Sequence, residues 1–335
     1  MNKPISQQID EMLAKVDFEA IWPGFLPSDY ILFIDGKAYL HGEEIPWDGR
    51  FMANTALDYN GRQVATWNVV YEDEDDTKLD AESNVSGIVH EMFHVFQNNN
   101  GETRHANEFA LFMYPHDLDN YQLKQAENFY LAKAFAENSQ LDLEQFVTIR
   151  KARSRIISAD AMLQEMLSET KEGMAEYAGL MALNQLSRRK FVEAADRHLG
   201  RLRDPEILMK PRLVSYSVGC MMCLAMASIG IDFFHALDDP RPLFELIPQS
   251  VNAIQEQFDK QREELAERFD ALRLSRTEYV ERECEITGFD PMAMVRVGDE
   301  ILCESNVMLD DEAVQGPLLL EMQAGSLNAV KAYSR

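Results

Sequence analysis

Residues 83–97 of this chain read SNVSGIVHEMFHVFQ and place His90 and His94 four positions apart. On an α-helix, positions i and i+4 lie one turn apart on the same face, so both imidazoles can point at one metal ion. Glu91 stands beside them, where its carboxylate can reach a metal-bound water. The surrounding apolar residues predict that this segment is a helix buried in a core. Because burying two histidines and a glutamate without a partner is unfavourable, the pattern predicts a metal site.

A metal site of this kind needs a third ligand from elsewhere in the chain. The extended metzincin pattern would require glycine at position 97 and histidine at position 100, whereas the chain has Gln97 and Asn100. His105, in a predicted polar loop, is one alternative. A carboxylate from the later segment SETKEGMAEYAGL, residues 168–180, is the preferred source.

Within this later segment we expect Glu172 to bind the metal, with Glu169 and Glu176 as competing ligands. If Glu172 is the ligand, Glu176 lies one turn further on and can accept a hydrogen bond from the outer nitrogen of a ligating histidine. Gly173 costs about 1 kcal/mol relative to alanine inside a helix. A close approach between this helix and the histidine helix would explain its presence.

Two short motifs carry a family resemblance: His90-Glu91-x-x-His94 and Glu172-Gly173-x-Ala175-x-Tyr177. Together they resemble the gluzincin branch of zinc metallopeptidases. The resemblance implies that the second motif supplies the third zinc ligand and that Glu176 supports a histidine. It also implies a zincin-like α+β fold, in which a small N-terminal antiparallel sheet precedes the motif helix and a mainly helical half. The long interval between His94 and Glu172 indicates an inserted helical hairpin at about residues 120–168.

The order of elements predicts a single catalytic unit over residues 1–335. Residues 1–82 form its β-rich part, and residues 83–288 form a helical part that carries the metal site. Residues 289–335 are expected to form a small β element.

Local patterns supply the elements within these regions. Asp35-Gly36 and Asn60-Gly61 favour positive φ angles, and therefore predict two β-hairpins. An acidic loop is expected at residues 72–76. The helical period predicts helices at about 5–18, 83–98, 120–137, 143–187 as one helix or a broken pair, 211–229 and 255–281.

Composition excludes several classes of protein. The 335 residues carry 57 acidic and 32 basic side chains, a formal net charge of −25, which disfavours binding to nucleic acid or to an anionic membrane surface. Four cysteines indicate reduced core thiols, Cys220 and Cys223 among them. Charged residues interrupt the N-terminal segment, so no export signal is expected and the prediction is a cytoplasmic protein.

These features predict a zinc-dependent hydrolase, namely a metallopeptidase acting on a peptide or a small protein. Zn²⁺ is the expected cofactor, and Glu91 is expected to act as general base. Tyr216 is the candidate donor to the oxyanion, with a ring that packs in the core as the alternative. Substrate could add to a sheet edge at the strand predicted for residues 62–71. The competing hypotheses are a zincin-like binding module without turnover and a zinc hydrolase of a non-peptide substrate.

Overall fold

A computed structural model describes residues 4–34, 36–69, 80–248, 265–267, 277–280, 284–323, 326 and 328–334. The acidic loop predicted at 72–76 lies outside the described residues, as does most of the helix predicted at 255–281.

Two short helices and a five-stranded sheet form the first part of the fold. They are α1 (Ile5–Leu13), α2 (Phe18–Ile21), β1 (Tyr30–Ile34), β2 (Lys37–Leu40), β3 (Glu43–Ile45), β4 (Thr55–Tyr59) and β5 (Arg62–Asn68). The strand order is β3-β2-β1-β5-β4. Both predicted hairpins are confirmed, β1 with β2 and β4 with β5. Asn60 and Gly61 have the positive φ angles that the second turn requires.

The sheet departs from the prediction in two ways. It is mixed, because β1 pairs with β5 in parallel, with Tyr30 opposite Ala65. The prediction of a purely antiparallel sheet was therefore wrong. Strand β5 also lies between β1 and β4, so it is not the edge that was expected to receive substrate. Among the described strands, β4 and β3 form the two edges.

A helical half follows the sheet. Its α-helices are α3 (Ala81–Asn99), α4 (Glu108–Phe112), α5 (Leu118–Glu137), α6 (Gln140–Arg153), α7 (Ala159–Leu186), α8 (Arg188–Arg203), α9 (Pro205–Leu208) and α10 (Pro211–Ser228). Asp80 caps α3 by accepting a hydrogen bond from the Ser83 amide. The region predicted as one helix or a broken pair is broken, since α6 and α7 are separate. The sequence pattern did not predict α8.

Helices α3, α7 and α10 pack closely, and glycines make this possible. A Cβ added at Gly173 would lie 2.3 Å from the Cα of Gly219, so this glycine brings α7 against α10. The expectation that Gly173 contacts the histidine helix was therefore wrong. Gly179 makes that contact instead, because a Cβ there would lie 2.5 Å from the carbonyl oxygen of Ser86 on α3. Tyr177 is buried against the Trp22 and Phe233 rings.

The C-terminal part is a larger sheet than predicted. Its strands are β6 (Thr277–Val280), β7 (Cys284–Gly288), β8 (Met294–Val297), β9 (Glu300–Cys303), β10 (Val307–Leu309), β11 (Glu312–Val314), β12 (Leu318–Met322) and β13 (Asn328–Ser334). The strand order is β11-β10-β7-β13-β12-β9-β8, with β6 also paired to β13. Strands β6 and β7 precede the predicted boundary at 289, and β6 lies where the long helix was expected to end. The described fold is mixed α+β. In chain order, one sheet precedes the helical half and the other follows it.

Two further expectations concern apolar segments. Within the described ranges, no helix is both long and apolar enough to cross a bilayer. All four cysteines are buried thiols that belong to no disulfide, including Cys220 and Cys223 on α10.

Candidate metal centre

His90, His94 and Glu172 converge where α3 faces α7. One potential ligand atom from each residue lies within 4.8 Å of the others, and all three side chains are buried. Nε2 of His94 is 3.1 Å from Oε2 of Glu172, and Nε2 of His90 is 3.7 Å from the same oxygen. This group can hold a metal ion. Among the described residues, no other group of histidine, cysteine and carboxylate side chains has this geometry. The exposed His105 does not belong to the cluster.

The outer nitrogens of both histidines have acceptors that fix the tautomer. Nδ1 of His90 donates to Oε2 of Glu176 at 2.8 Å. Nδ1 of His94 donates to Oε1 of Gln97 at 2.7 Å, while the Gln97 amide nitrogen donates to the Lys171 carbonyl. A neutral imidazole that carries its proton on Nδ1 has the lone pair on Nε2, the atom that faces the centre here. Nε2 is therefore the ligating atom that the hydrogen bonds prepare.

Gln97 and His198 are parts of this arrangement that the sequence analysis missed. Gln97 had served only to exclude the metzincin pattern, although its position three residues after His94 places it on the same helix face. His198 lies on α8, and its Nε2 is 3.2 Å from Oε1 of Glu176. Its Nδ1 is 3.0 Å from the Ser217 hydroxyl. Glu176 thus contacts both His90 and His198, and Ser217 orients the His198 ring.

Electrostatics favour an ionised carboxylate at Glu172. Burial opposes its charge, but His94, His90 and Arg212 together hold the pKa of Glu172 well below its usual range. Arg212 donates to Oε1 of Glu172 at 3.0 Å, leaving Oε2 directed at the histidines. The guanidinium also approaches Oε1 of Glu108 at 3.2 Å. An anionic oxygen that faces two imidazole nitrogens is suited to bind a cation.

Glu169 lies outside this cluster. Its two carboxylate oxygens pair with Arg150 at 2.7 and 2.9 Å, and the residue is fully buried. Arg150 belongs to a buried ion network of three basic and three acidic side chains on α5, α6 and α7: Lys124, Arg150, Arg153, Glu127, Glu165 and Glu169. This network holds both carboxylate oxygens of Glu169 in contact with Arg150. Glu176 is likewise occupied, by His90 and His198.

Glu91 is a buried carboxyl next to the cluster, and its Oε2 has no hydrogen-bond partner among the described residues. Burial raises the pKa of Glu91, although the neighbouring His90 and His94 act in the opposite direction. An oxygen of this kind is free to accept a proton from a group that enters the site.

Tyr216 stacks on His90. The two rings are 5.8 Å apart between centroids and nearly parallel, with 6° between their planes. Burial, followed by the charge of Glu172, raises the pKa of Tyr216 well above its usual value, which keeps the hydroxyl protonated. Tyr216 therefore lies at the centre as a neutral donor, and its ring also packs against a ligand candidate.

A cleft of about 760 Å³ opens onto these residues, and Glu91, His90 and Tyr216 line it. Gly87 also lines this cleft, and its lack of a side chain makes room for a neighbouring ring. A Cβ at this position would lie 2.0 Å from the ring of Trp67, which fills that volume.

Comparisons with models of protein families, with curated proteins and with solved structures found no match. The class that the fold and the cluster define is therefore a mixed α+β protein with a buried His-His-Glu group able to hold a metal ion.

Proposed function

We propose that this chain is a zinc-dependent hydrolase whose substrates are peptides. One observation carries the proposal: the unpartnered Oε2 of Glu91 lies beside the converging His90, His94 and Glu172 groups on the wall of a cleft. A binding site that only stabilised the fold would have no need for an unpaired buried carboxyl group at that point.

The donor set fits zinc. Two imidazole nitrogens and one carboxylate oxygen are ligands that Zn²⁺ accepts in catalytic sites, where a position is left for water or substrate. When bound there, zinc would supply Lewis acidity toward a water and a carbonyl oxygen. His90, His94 and Glu172 would hold it, and the hydrogen bonds from Nδ1 of each ring would keep Nε2 available.

The remaining residues act on protons and charge. Glu91 would accept a proton at Oε2 from the attacking water and return it to the departing amine. Tyr216 would donate its hydroxyl proton in a hydrogen bond to the oxygen that becomes negative. Arg212 would balance the charge of Glu172 and hold its carboxylate in place. Glu176 and His198 would keep the His90 ring oriented.

The sheet supports a peptide as substrate. Strand β4 is an edge in the described sheet, and Asn54, immediately before it, lines the cleft. An extended peptide can pair its backbone with such an edge while its scissile bond lies in the cleft.

The test is a cleavage assay with the full chain. Zinc-loaded protein is offered a diverse set of peptides, and products are identified by mass spectrometry. We expect cleavage that stops with a zinc chelator, returns with added zinc and falls at least about 100-fold in Glu91→Gln. Glu82→Gln, on the first turn of the same helix, is the control and keeps full activity. Unchanged cleavage in Glu91→Gln would contradict the mechanism, and zinc binding with no cleavage of any peptide would favour a binding module.

A further inference from the structure

Two arginine side chains of α8 line the same cleft as the metal centre. Arg197 and Arg201 stand four positions apart, so they lie one turn apart on one face of the helix. Arg197 is exposed, and Arg201 is half-buried. Both guanidinium groups are therefore accessible from the cleft.

Neither guanidinium has a hydrogen-bond or ion-pair partner within the part of the chain that the structure describes. Other arginines nearby do have partners. Arg189 on the same helix pairs with Glu193 at 2.6 Å, and Arg212 across the cleft pairs with Glu172 and Glu108. Arg197 and Arg201 are thus basic groups left available in a chain whose formal net charge is −25.

Two of the three acidic side chains that line the cleft are engaged elsewhere, and the third, Glu91, is the proposed general base. Glu176 is held by His90 and His198. Asp290 accepts a hydrogen bond from the Met292 amide in a local cap. The two arginines consequently do not serve to neutralise these carboxylates through direct contact.

Helix α8 is also tied to the centre. His198 lies between the two arginines in the sequence and reaches Glu176, which holds His90. A rigid link of this kind fixes where the guanidinium groups stand relative to the site of reaction.

We propose that Arg197 and Arg201 bind a carboxylate of the substrate, so that the enzyme prefers acidic peptides. A guanidinium group offers paired N–H donors that match the two oxygens of a carboxylate. A glutamate or aspartate side chain and a free peptide C-terminus share this chemistry. The inference rests on the proposed function, because it assigns specificity to the same cleft.

The probes are internally quenched peptides on one scaffold, in pairs that differ by Glu against Gln at a single position. Each peptide is made with a free and with an amidated C-terminus. For the zinc-loaded full chain we expect kcat/KM to be about tenfold higher for at least one kind of carboxylate-bearing peptide than for its uncharged counterpart. One charged hydrogen bond provides a difference of that size. The ratio should fall to nearly one in Arg197→Gln/Arg201→Gln. It should persist in Arg189→Gln/Arg203→Gln, which removes two charges from the same helix outside the cleft.

The two comparisons show whether the recognised carboxylate belongs to a side chain or to the peptide C-terminus. A preference confined to Glu over Gln identifies a side chain, and one confined to the free C-terminus identifies the terminal group; either supports the proposal. Equal kcat/KM within all pairs would overturn it, as would a preference that survives in Arg197→Gln/Arg201→Gln.

Binding to zinc-loaded Glu91→Gln is measured separately, by fluorescence anisotropy of the same peptides made with the fluorophore and without the quencher. If no peptide is cleaved, the proposed function fails and this binding arm decides the inference alone. Tighter binding of the carboxylate-bearing members that is lost in the Arg197→Gln/Arg201→Gln background supports it. Equal binding of all members overturns it.

Discussion

His94 and Glu172 are 78 positions apart in the sequence, yet Nε2 of the histidine lies 3.1 Å from Oε2 of the glutamate. Helices α3 and α7 create this contact, and the hydrogen bond between Ser86 and the Gly179 carbonyl oxygen helps to hold the two helices together. Arg212 on α10 then orients the carboxylate from its other side. The centre is therefore a product of three packed helices, and its geometry depends on how closely they approach.

Glu172 and Glu169 should respond to substitution in opposite ways. Glu172→Gln removes the anionic ligand, so we expect bound zinc to fall below about one tenth of the wild-type content. Glu169→Gln should keep its zinc, because the native carboxylate faces Arg150. It should instead lose about 3–5 kcal/mol of unfolding free energy, since the buried Arg150 charge loses one of its carboxylate partners and the buried network is left with an excess positive charge. Elemental analysis and urea unfolding measure the two effects. Zinc retained in Glu172→Gln and lost in Glu169→Gln would show that Glu169, and not Glu172, is the ligand.

The hydrogen bond from His90 to Glu176 should set zinc affinity without supplying a ligand. Glu176→Gln weakens an acceptor that orients the ring, so we expect the Kd for zinc to rise about 10- to 100-fold. His198→Phe removes only the second partner of Glu176 and should raise the Kd by less. Competition with a chromophoric chelator gives the Kd values. Glu193→Gln, exposed on α8, is the control, and equal affinities in all four proteins would show that this chain of contacts does not act on the metal.

Tyr216→Phe tests whether the stacked tyrosine is more than core filling. The ring remains and only the hydroxyl is removed, so zinc content and stability should be close to wild type. If the hydroxyl stabilises the oxyanion, kcat should fall about 100-fold or more with little change in KM. Steady-state kinetics on a cleaved peptide distinguishes the cases. An unchanged kcat would leave Tyr216 with a packing role alone.

Two glycine substitutions should change stability in opposite directions. Gly173→Ala forces a methyl group against Gly219, and we expect a loss of about 1–3 kcal/mol of unfolding free energy. Gly200→Ala on α8 meets no atom within 4 Å, so it should stabilise the protein by about 0.5–1 kcal/mol through helix propensity. Urea unfolding monitored by circular dichroism measures both. Equal effects at the two positions would contradict the close contact between α7 and α10.

Local features of the fold could be predicted from the sequence, and non-local ones could not. The turn at Asn60-Gly61 follows from positive φ angles that two adjacent residues tolerate, and the α3 helix follows from its own apolar period. The parallel pairing of β1 with β5 involves strands about thirty residues apart, and neither strand's pattern records which partner it will have.

The same distinction holds at the centre. Spacing was enough to bring His90 and His94 to one helix face, and helical periodicity made Glu172 a candidate beside Glu169. Choosing between the two glutamates required the position of Arg150, which comes from a different helix. His198 stood alone in the sequence, and it gains a partner only because α8 packs beside α7 and brings it to Glu176.

The most direct test of the central claim is a crystal structure of the zinc-soaked protein with data collected on both sides of the zinc absorption edge. We predict an anomalous peak about 2.0–2.2 Å from Nε2 of His90, Nε2 of His94 and a carboxylate oxygen of Glu172. A zinc peak at any other place, with none between these three side chains, would contradict the account.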